Sequence, residues 1–340
     1  METKRPEMLS FDSLVIGYIS GKNKKMLLPP VNGTAMKGEL IAVVGRNGIG
    51  KSTLLRSLAG LQPPLEGKIS LKGRNIKEYS RLQIAKILGY ISTEVVKVVN
   101  MRVFELVALG RFPHTNWYGK IDAVNHNAII DAIEKTDLSD FYHRFITELS
   151  DGERQRAMIA RVLAQDADLM VMDEPTAFLD IKTKYEILHL LSTLAHNRGK
   201  TIIISTHDFQ IAMDQADKIW LLLETDLIEG APEDLMLKGS FDHLFDSSLV
   251  VFDSDTGSFV LKKPESGQIY IEGAGAEKVW TEKAVIRAGY SLSGKKITPY
   301  VKVPDTKNRK WHLYSDRSKN EFTSLYDLIS WLTGKERNSI

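Results

Sequence analysis

Along most of the chain, short continuous apolar runs alternate with stretches whose apolar residues recur at helical spacing. Glu39-Leu40-Ile41-Ala42-Val43-Val44 is apolar at successive positions, which predicts a strand covered on both faces, and it runs directly into Gly45. Thr53-Leu54-Leu55-Arg56-Ser57-Leu58-Ala59 then spaces its apolar residues as a helix does and stops at Gly60, a residue suited to a helix C-terminus. Leu169–Met172 and Thr201–Ser205 predict two more buried strands, flanking a helix over Thr183–Leu194. Shorter β-rich runs lie at Ser13–Ile16, Lys68–Leu71 and Leu88–Ile91, and Ile219–Leu223 with Leu227–Gly230 predicts a closing hairpin. From about residue 100 to 152 the pattern is helical, carried by Phe104, Leu106, Val107 and Leu109 and then by Ile129, Ile130 and Ile133. The alternation predicts an α/β fold with a largely parallel sheet, helices on both faces and an inserted helical subdomain.

Beyond about Ser240 the pattern changes. Val250–Phe252 and Phe259–Leu261 flank a Ser-Asp-Thr-Gly turn, Ile269–Ile271 precedes a helix over about Ala276–Ala288, and a last amphipathic helix starts near Ser324 with Leu325, Leu328, Ile329 and Leu332 on one face. These elements predict a second, small α/β domain over residues 241–340, after a first domain over residues 8–240. Gly273-Ala274-Gly275 lacks the third glycine of a dinucleotide fingerprint and is set aside. The lysines and arginines from Lys295 to Lys310, with Tyr300, Trp311 and Tyr314, read as a solvated basic face over aromatic core residues, so no nucleic-acid partner is expected.

Composition narrows the chemistry. The 340 residues are 43% hydrophobic, enough for two cores, and the formal net charge of +2 calls for no polyanionic partner. Cysteine is absent, which excludes disulfides, thiolate zinc sites and iron–sulfur clusters. Met1–Pro6 is polar with no apolar run behind it, so no signal peptide is expected. No apolar run approaches the roughly 18–20 residues that span a bilayer, so any membrane role is expected to pass through a partner.

Gly45-Arg46-Asn47-Gly48-Ile49-Gly50-Lys51-Ser52 matches the phosphate-loop pattern in full, and it sits between a predicted strand and a predicted helix. The glycines let backbone N–H groups turn towards a β-phosphate, Lys51 reaches the β/γ-phosphates, Ser52 can ligate Mg²⁺, and Thr53 continues into a helix whose N-terminus favours anions. Asp173 closes a buried strand, the position of a carboxylate that holds Mg²⁺, and Glu174 beside it is placed to orient or deprotonate a water. The eight His residues are scattered without paired helical spacing, so no metal-ligand role is assigned to His114.

With these motifs the chain, over about residues 8–240, resembles the ATP-binding-cassette (ABC) ATPases, P-loop NTPases that serve as nucleotide-binding subunits of ABC transporters. Leu149-Ser150-Asp151-Gly152-Glu153 is similar to that family's Leu-Ser-Gly-Gly-Gln signature, Ala177-Phe178-Leu179-Asp180 to its D-loop, His207 to its switch histidine and Tyr18 to its adenine-stacking aromatic. The resemblance implies a homodimer that sandwiches two Mg-ATP, with Ser150, Asp151, Gly152 and Glu153 of one copy facing the phosphate loop of the other. It also implies that His207 bonds the γ-phosphate. Two departures stand out. Asp151 and Glu153 replace Gly and Gln of the signature, with Asp151 expected to turn towards backbone N–H groups or Arg154. Thr93 or Glu94 takes the place of the Q-loop glutamine.

Val103–His114, ending in Arg111-Phe112-Pro113-His114, is similar to the same region of importer ATPases for iron–siderophore, heme and cobalamin. That likeness implies a subunit peripheral to the cytoplasmic face of the inner membrane, powering metal-chelate uptake with transmembrane permease subunits and a substrate-binding protein. A soluble ABC ATPase without a transport role, and a nucleotide-binding regulatory module with weak hydrolysis, are the other readings. The span from Lys51 to Asp173 is too short for the coiled coils of DNA-repair cassettes, the chain holds one nucleotide site, and Cys is absent, all of which favour transport.

Overall fold

The computed structural model describes residues 5–20, 23–92, 100–115, 121–244, 250–253, 258–261, 266–305, 310–315 and 318–334. They fall into two compact units, the first holding the chain up to Asp246 and the second most of the residues from Phe259 on.

A six-stranded sheet forms the centre of the first unit, in the order Leu227–Gly230, Lys218–Leu222, Leu40–Gly45, Thr201–Ser205, Leu169–Met172, Leu88–Ile91. Its edge strand Leu227–Gly230 runs antiparallel and the other strands run parallel. Every residue of Leu169–Met172 and Thr201–Ser205 is buried, as continuous apolar runs in a doubly covered sheet require. On one face Ile41, Val43, Ile203, Val171 and Trp220 pack with Leu54, Leu55 and Leu58 of the helix Lys51–Leu58. The other face is met by the helices Ile181–Arg198 and Phe209–Gln215. The pairing sets Ile204 opposite Met172 and Ser205 opposite Val43, so the strands that lead into the phosphate loop, Asp173 and His207 end at one level.

A second, antiparallel sheet adds Leu9, Phe11 and Leu14 to the same core; its order is Val31–Met36, Glu7–Val15, Glu66–Leu71, Arg74–Asn75. The sequence pattern showed Lys68–Leu71 and the end of Glu7–Val15 but none of Val31–Met36. That segment reads Val-Asn-Gly-Thr-Ala-Met, and Asn and Gly are poor strand formers; Gly33 is there because a Cβ would come within 2.4 Å of the Phe11 ring. Helices Val103–Ala108, Ala123–Lys135 and Asp151–Ala164 pack on one another, and the last of them also reaches the strand Leu88–Ile91. The helix Asp151–Ala164, with Ala157, Met158 and Ile159 buried, carries the helical spacing on past residue 152.

The second unit is a five-stranded sheet in the order Tyr290–Leu292, Gly267–Glu272, Tyr300–Lys302, Trp311–Tyr314, Lys319–Phe322, with helices Gly275–Arg287 and Leu325–Leu332. Ile269, Ile271, Val285, Val301, Val303, Leu313 and Leu328 make its core. Four of these strands went unread in the sequence because they are only three or four residues long and mix polar with apolar residues. Val301 turns inward while Tyr300 and Lys302 alternate outward. Trp311 does pack against the core, as read. Tyr300 and Tyr314, read as core aromatics, instead stack on each other at 4.5 Å with Lys296 over Tyr300. Among the described residues no helix is long and apolar enough to cross a membrane.

Trp220 is fully buried, meets Phe11 edge-to-face at 5.2 Å, and donates its indole N–H to Glu229 Oε2 at 3.0 Å. Truncation at this junction of the two sheets leaves a cavity and removes one of the hydrogen bonds to Glu229, which Thr34 also holds. Trp220→Ala is expected to cost about 3–5 kcal/mol, read as a lower urea midpoint by circular dichroism.

Candidate functional site

The strand Leu40–Gly45 delivers the loop 45–52 to the carboxyl edge of the sheet. Gly48 and Gly50 hold φ angles of 80° and 114°, which side-chain-bearing residues rarely adopt, and Gly50 N-caps the helix Lys51–Leu58 without any side-chain cap. The helix N-terminus is thereby left open to an anion. Lys51 folds back over the loop, donating to the carbonyls of Gly45 at 2.8 Å and Arg46 at 3.2 Å. Burial pushes its ammonium below the ordinary lysine pKa, opposed by the carboxylates of Glu174 and Asp173. Arg46 turns to Glu224 at 3.2 Å, while Asn47 is exposed and Ile49 packs against the core.

Three elements converge on Asp173. Its Oδ1 accepts from Ser52 Oγ at 3.0 Å and from Ser205 Oγ at 2.7 Å, and its own N–H donates to the Ile91 carbonyl at 2.9 Å. The next residue, Glu174, has a φ of 48°, in the left-handed region, and its N–H donates to Ser205 Oγ at 2.8 Å. Its carboxylate lies 3.4 Å from His207 Nδ1. Lys51, Ser52, Asp173, Glu174 and His207 are thus gathered at one point. Ser205, which opens the switch segment Ser205-Thr206-His207-Asp208 but was given no role there, stands among them; its sequence signals are that segment and its place as a polar residue closing the run Thr201-Ile202-Ile203-Ile204. Tyr18 lies within a strand, Gly17–Ser20, with its ring half exposed and its hydroxyl 2.8 Å from Thr53 Oγ1.

The signature residues bond among themselves. Ser150 N-caps the helix Asp151–Ala164: its Oγ accepts from the Glu153 N–H at 3.3 Å and its own N–H donates to Glu153 Oε2 at 2.8 Å, a capping box. Asp151 pairs with Arg154 at 2.8 Å, the orientation expected of it, and Arg154 also donates to the Leu149 carbonyl at 3.0 Å. Gly152 abuts the D-loop helix; a Cβ there would lie 2.5 Å from Thr183 Cγ2. Asp180 caps that helix, and hydrogen bonds from the Thr183 backbone and side chain hold its carboxyl below the ordinary Asp value. Thr93 and Glu94 lie outside the described residues.

The family model for ABC transporters matches residues 28–177, and that for the iron ABC transporter C-terminal domain matches residues 266–333. An uncharacterized ABC transporter ATP-binding protein of Methanocaldococcus jannaschii is 34% identical over 256 residues, covering 75% of this chain and 87% of that one. The chain belongs to the ATP-binding subunits of ABC transporters. The ferric enterobactin transport ATP-binding protein of Escherichia coli is 32% identical over 228 residues, 67% of this chain and 84% of its own. A dimeric bacterial ABC transporter cassette superposes with a TM-score of 0.59 at 25% identity, covering 66% of this chain and 99% of that one. This ABC ATPase is an ATP-hydrolysing cassette with a C-terminal unit of the iron-transporter type.

In an ABC ATPase with this geometry, Glu153 serves where Gln is usual because either side chain can close the capping box through an oxygen acceptor. The anionic form adds about 0.3–1 kcal/mol against the helix N-terminus. Glu153→Gln is therefore expected to cost less than about 1 kcal/mol, and Glu153→Ala about 0.5–2 kcal/mol. Hydrogen exchange of the Ser150 and Glu153 amides measures both.

Proposed function

We propose that this chain is the ATP-hydrolysing subunit of an importer for an iron chelate such as a ferric siderophore, working through a separate permease at the cytoplasmic face of the membrane with a substrate-binding protein. The observation that carries the reading is the pairing of an ABC cassette with a C-terminal unit matching the iron ABC transporter model. The likeness to a ferric enterobactin transport subunit supports the same cargo class. Heme and cobalamin are the neighbouring cargoes within the wider metal-chelate class.

Each residue has a role that its surroundings suit. The loop 45–52, with Lys51 and the uncapped helix, holds the β- and γ-phosphates, and Tyr18 offers a ring to the adenine. Ser52 and Asp173 present hydroxyl and carboxylate oxygens 3.0 Å apart, a hard-oxygen pair suited to Mg²⁺, which takes its remaining ligands from phosphate and water. Bound there, the ion would neutralise charge between the β- and γ-phosphates. Glu174, turned by its left-handed backbone towards His207, is the base for the attacking water, and His207 bonds the γ-phosphate. Ser150 and Gly152 reach the phosphates of a second copy, as the dimeric cassette supports. Asp151 brings no free charge to that interface because Arg154 holds it. Phe178 and Ile181, 89% and 76% exposed beside Asp180, give the second copy an apolar rim.

For the permease, the first unit offers a groove of about 360 Å³ lined by Leu61, Arg81, Ile84, Leu88 and Tyr90. Leu61 and Leu82 stand exposed in the neighbouring segments, a surface suited to the apolar side of a short cytoplasmic helix.

Glu174→Gln should lower the turnover number by at least about 10²-fold while leaving ATP binding intact, and should convert the chain to a dimer in ATP on size-exclusion chromatography. Intact turnover would remove Glu174 from the role of base. Co-expressed with its permease, the wild-type chain should co-purify in detergent, and Leu61→Glu should abolish co-purification without changing the ATPase rate of the free subunit. Retention of the complex by Leu61→Glu would exclude the groove.

A further inference from the structure

We infer that Ser205 is a positioning residue of the metal and water site, holding the Asp173 and Glu174 carboxylates in their working orientations. The inference rests on the ATPase reading above and adds to it a role for Ser205, two residues before His207, that the motif reading did not assign.

Ser205 closes the strand Thr201–Ser205 and is fully buried. A hydroxyl there needs partners, and a parallel-sheet ladder leaves its side chain free to find them at the strand end. It donates to Asp173 Oδ1 at 2.7 Å and accepts from the Glu174 N–H at 2.8 Å. One hydroxyl therefore clamps the side chain of one residue and the backbone of the next. Each bond has a separate consequence.

The first bond fixes Asp173. Its other bond at Oδ1 comes from Ser52, whose hydroxyl is itself a candidate metal ligand. If Ser52 turns its oxygen to the ion, that bond is lost, and Ser205 is what remains to keep the carboxylate from rotating. The second bond fixes Glu174. A non-glycine residue in the left-handed region costs about 1–3 kcal/mol and persists only where its surroundings hold it. The Ser205 hydroxyl supplies part of that hold, and the turn continues with the Ala177 N–H donating to the Glu174 carbonyl at 3.1 Å. Removing the hydroxyl strands a buried N–H and frees both carboxylates to reorient.

Partners that orient metal-binding carboxylates change metal affinity or activity by about 10–100-fold when removed. Ser205→Ala in the full chain is therefore expected to weaken Mn²⁺ binding in the presence of ADP, read by electron paramagnetic resonance, about 10-fold or more. Binding of a fluorescent ATP analogue in EDTA, which depends on the phosphate loop and not on the ion, should stay within about twofold. The turnover number should fall about 10-fold or more with the ATP KM nearly unchanged, and Ser205→Thr should restore both Mn²⁺ affinity and turnover. Unchanged Mn²⁺ affinity in Ser205→Ala would overturn the inference, and so would equal losses with and without the metal, which mark a structural role alone. Absence of Mg²⁺-dependent hydrolysis in the wild-type chain would instead sink the reading on which the inference rests.

Discussion

One carboxylate oxygen, Oδ1 of Asp173, receives hydroxyl groups from the phosphate-loop helix and from the strand Thr201–Ser205, and the rest of the site is built around that meeting. The constraint is one of register. Three parallel strands must end at the same height for Ser52, Asp173 and Ser205 to touch, and a one-residue slip of the strand Thr201–Ser205 would turn Ser205 away from Asp173. Complete burial of Leu169–Met172 and Thr201–Ser205 makes such a slip expensive, because it would exchange every apolar contact on both faces. Polar chemistry at the sheet edge is thus held in place by apolar packing beneath it.

The same edge concentrates opposing charges. Lys51 loses part of its hydration to burial, and the two carboxylates that keep it charged are those assigned to the metal and the water. A polyphosphate with its metal ion fits this balance, since it brings negative charge to Lys51 and to the open helix N-terminus and positive charge to Asp173. The signature cluster, by contrast, is internally satisfied. Its capping box and the Asp151–Arg154 pair leave the Leu149–Glu153 turn rigid before any partner arrives, and the contact of Gly152 with Thr183 ties it to the D-loop helix. The two departures from the family pattern in the signature therefore lie in the local helix chemistry that holds the turn.

Much of this was legible in the sequence, for reasons specific to each segment. Leu88–Ile91, Leu169–Met172 and Thr201–Ser205 were read with the bounds they have, because strands in a covered sheet read as short, largely apolar runs bounded by polar turns. In the antiparallel sheet Lys68–Leu71 and the end of Glu7–Val15 were read, but Val31–Met36 was missed, since it owes its strand to Phe11 filling the space above Gly33 and not to its own propensities. In the C-terminal unit, the three-residue strand Tyr300–Lys302, with Val301 between Tyr and Lys, resembles solvated loop, and only pairing with Gly267–Glu272 and Trp311–Tyr314 makes it sheet.

What the sequence by itself determined is the chemistry that lies within a few residues of chain: the phosphate loop, the acidic pair after a buried strand, the signature and the helix caps. Backbone geometry fixes such local relations, so spacing alone reveals them. Only the tertiary structure decided that Ser205 joins Asp173 and Glu174, that Gly152 leans on Thr183, and that Tyr300 and Tyr314 leave the core. These contacts join segments distant in sequence, and it is sheet register and side-chain packing, set by the whole core at once, that bring them together.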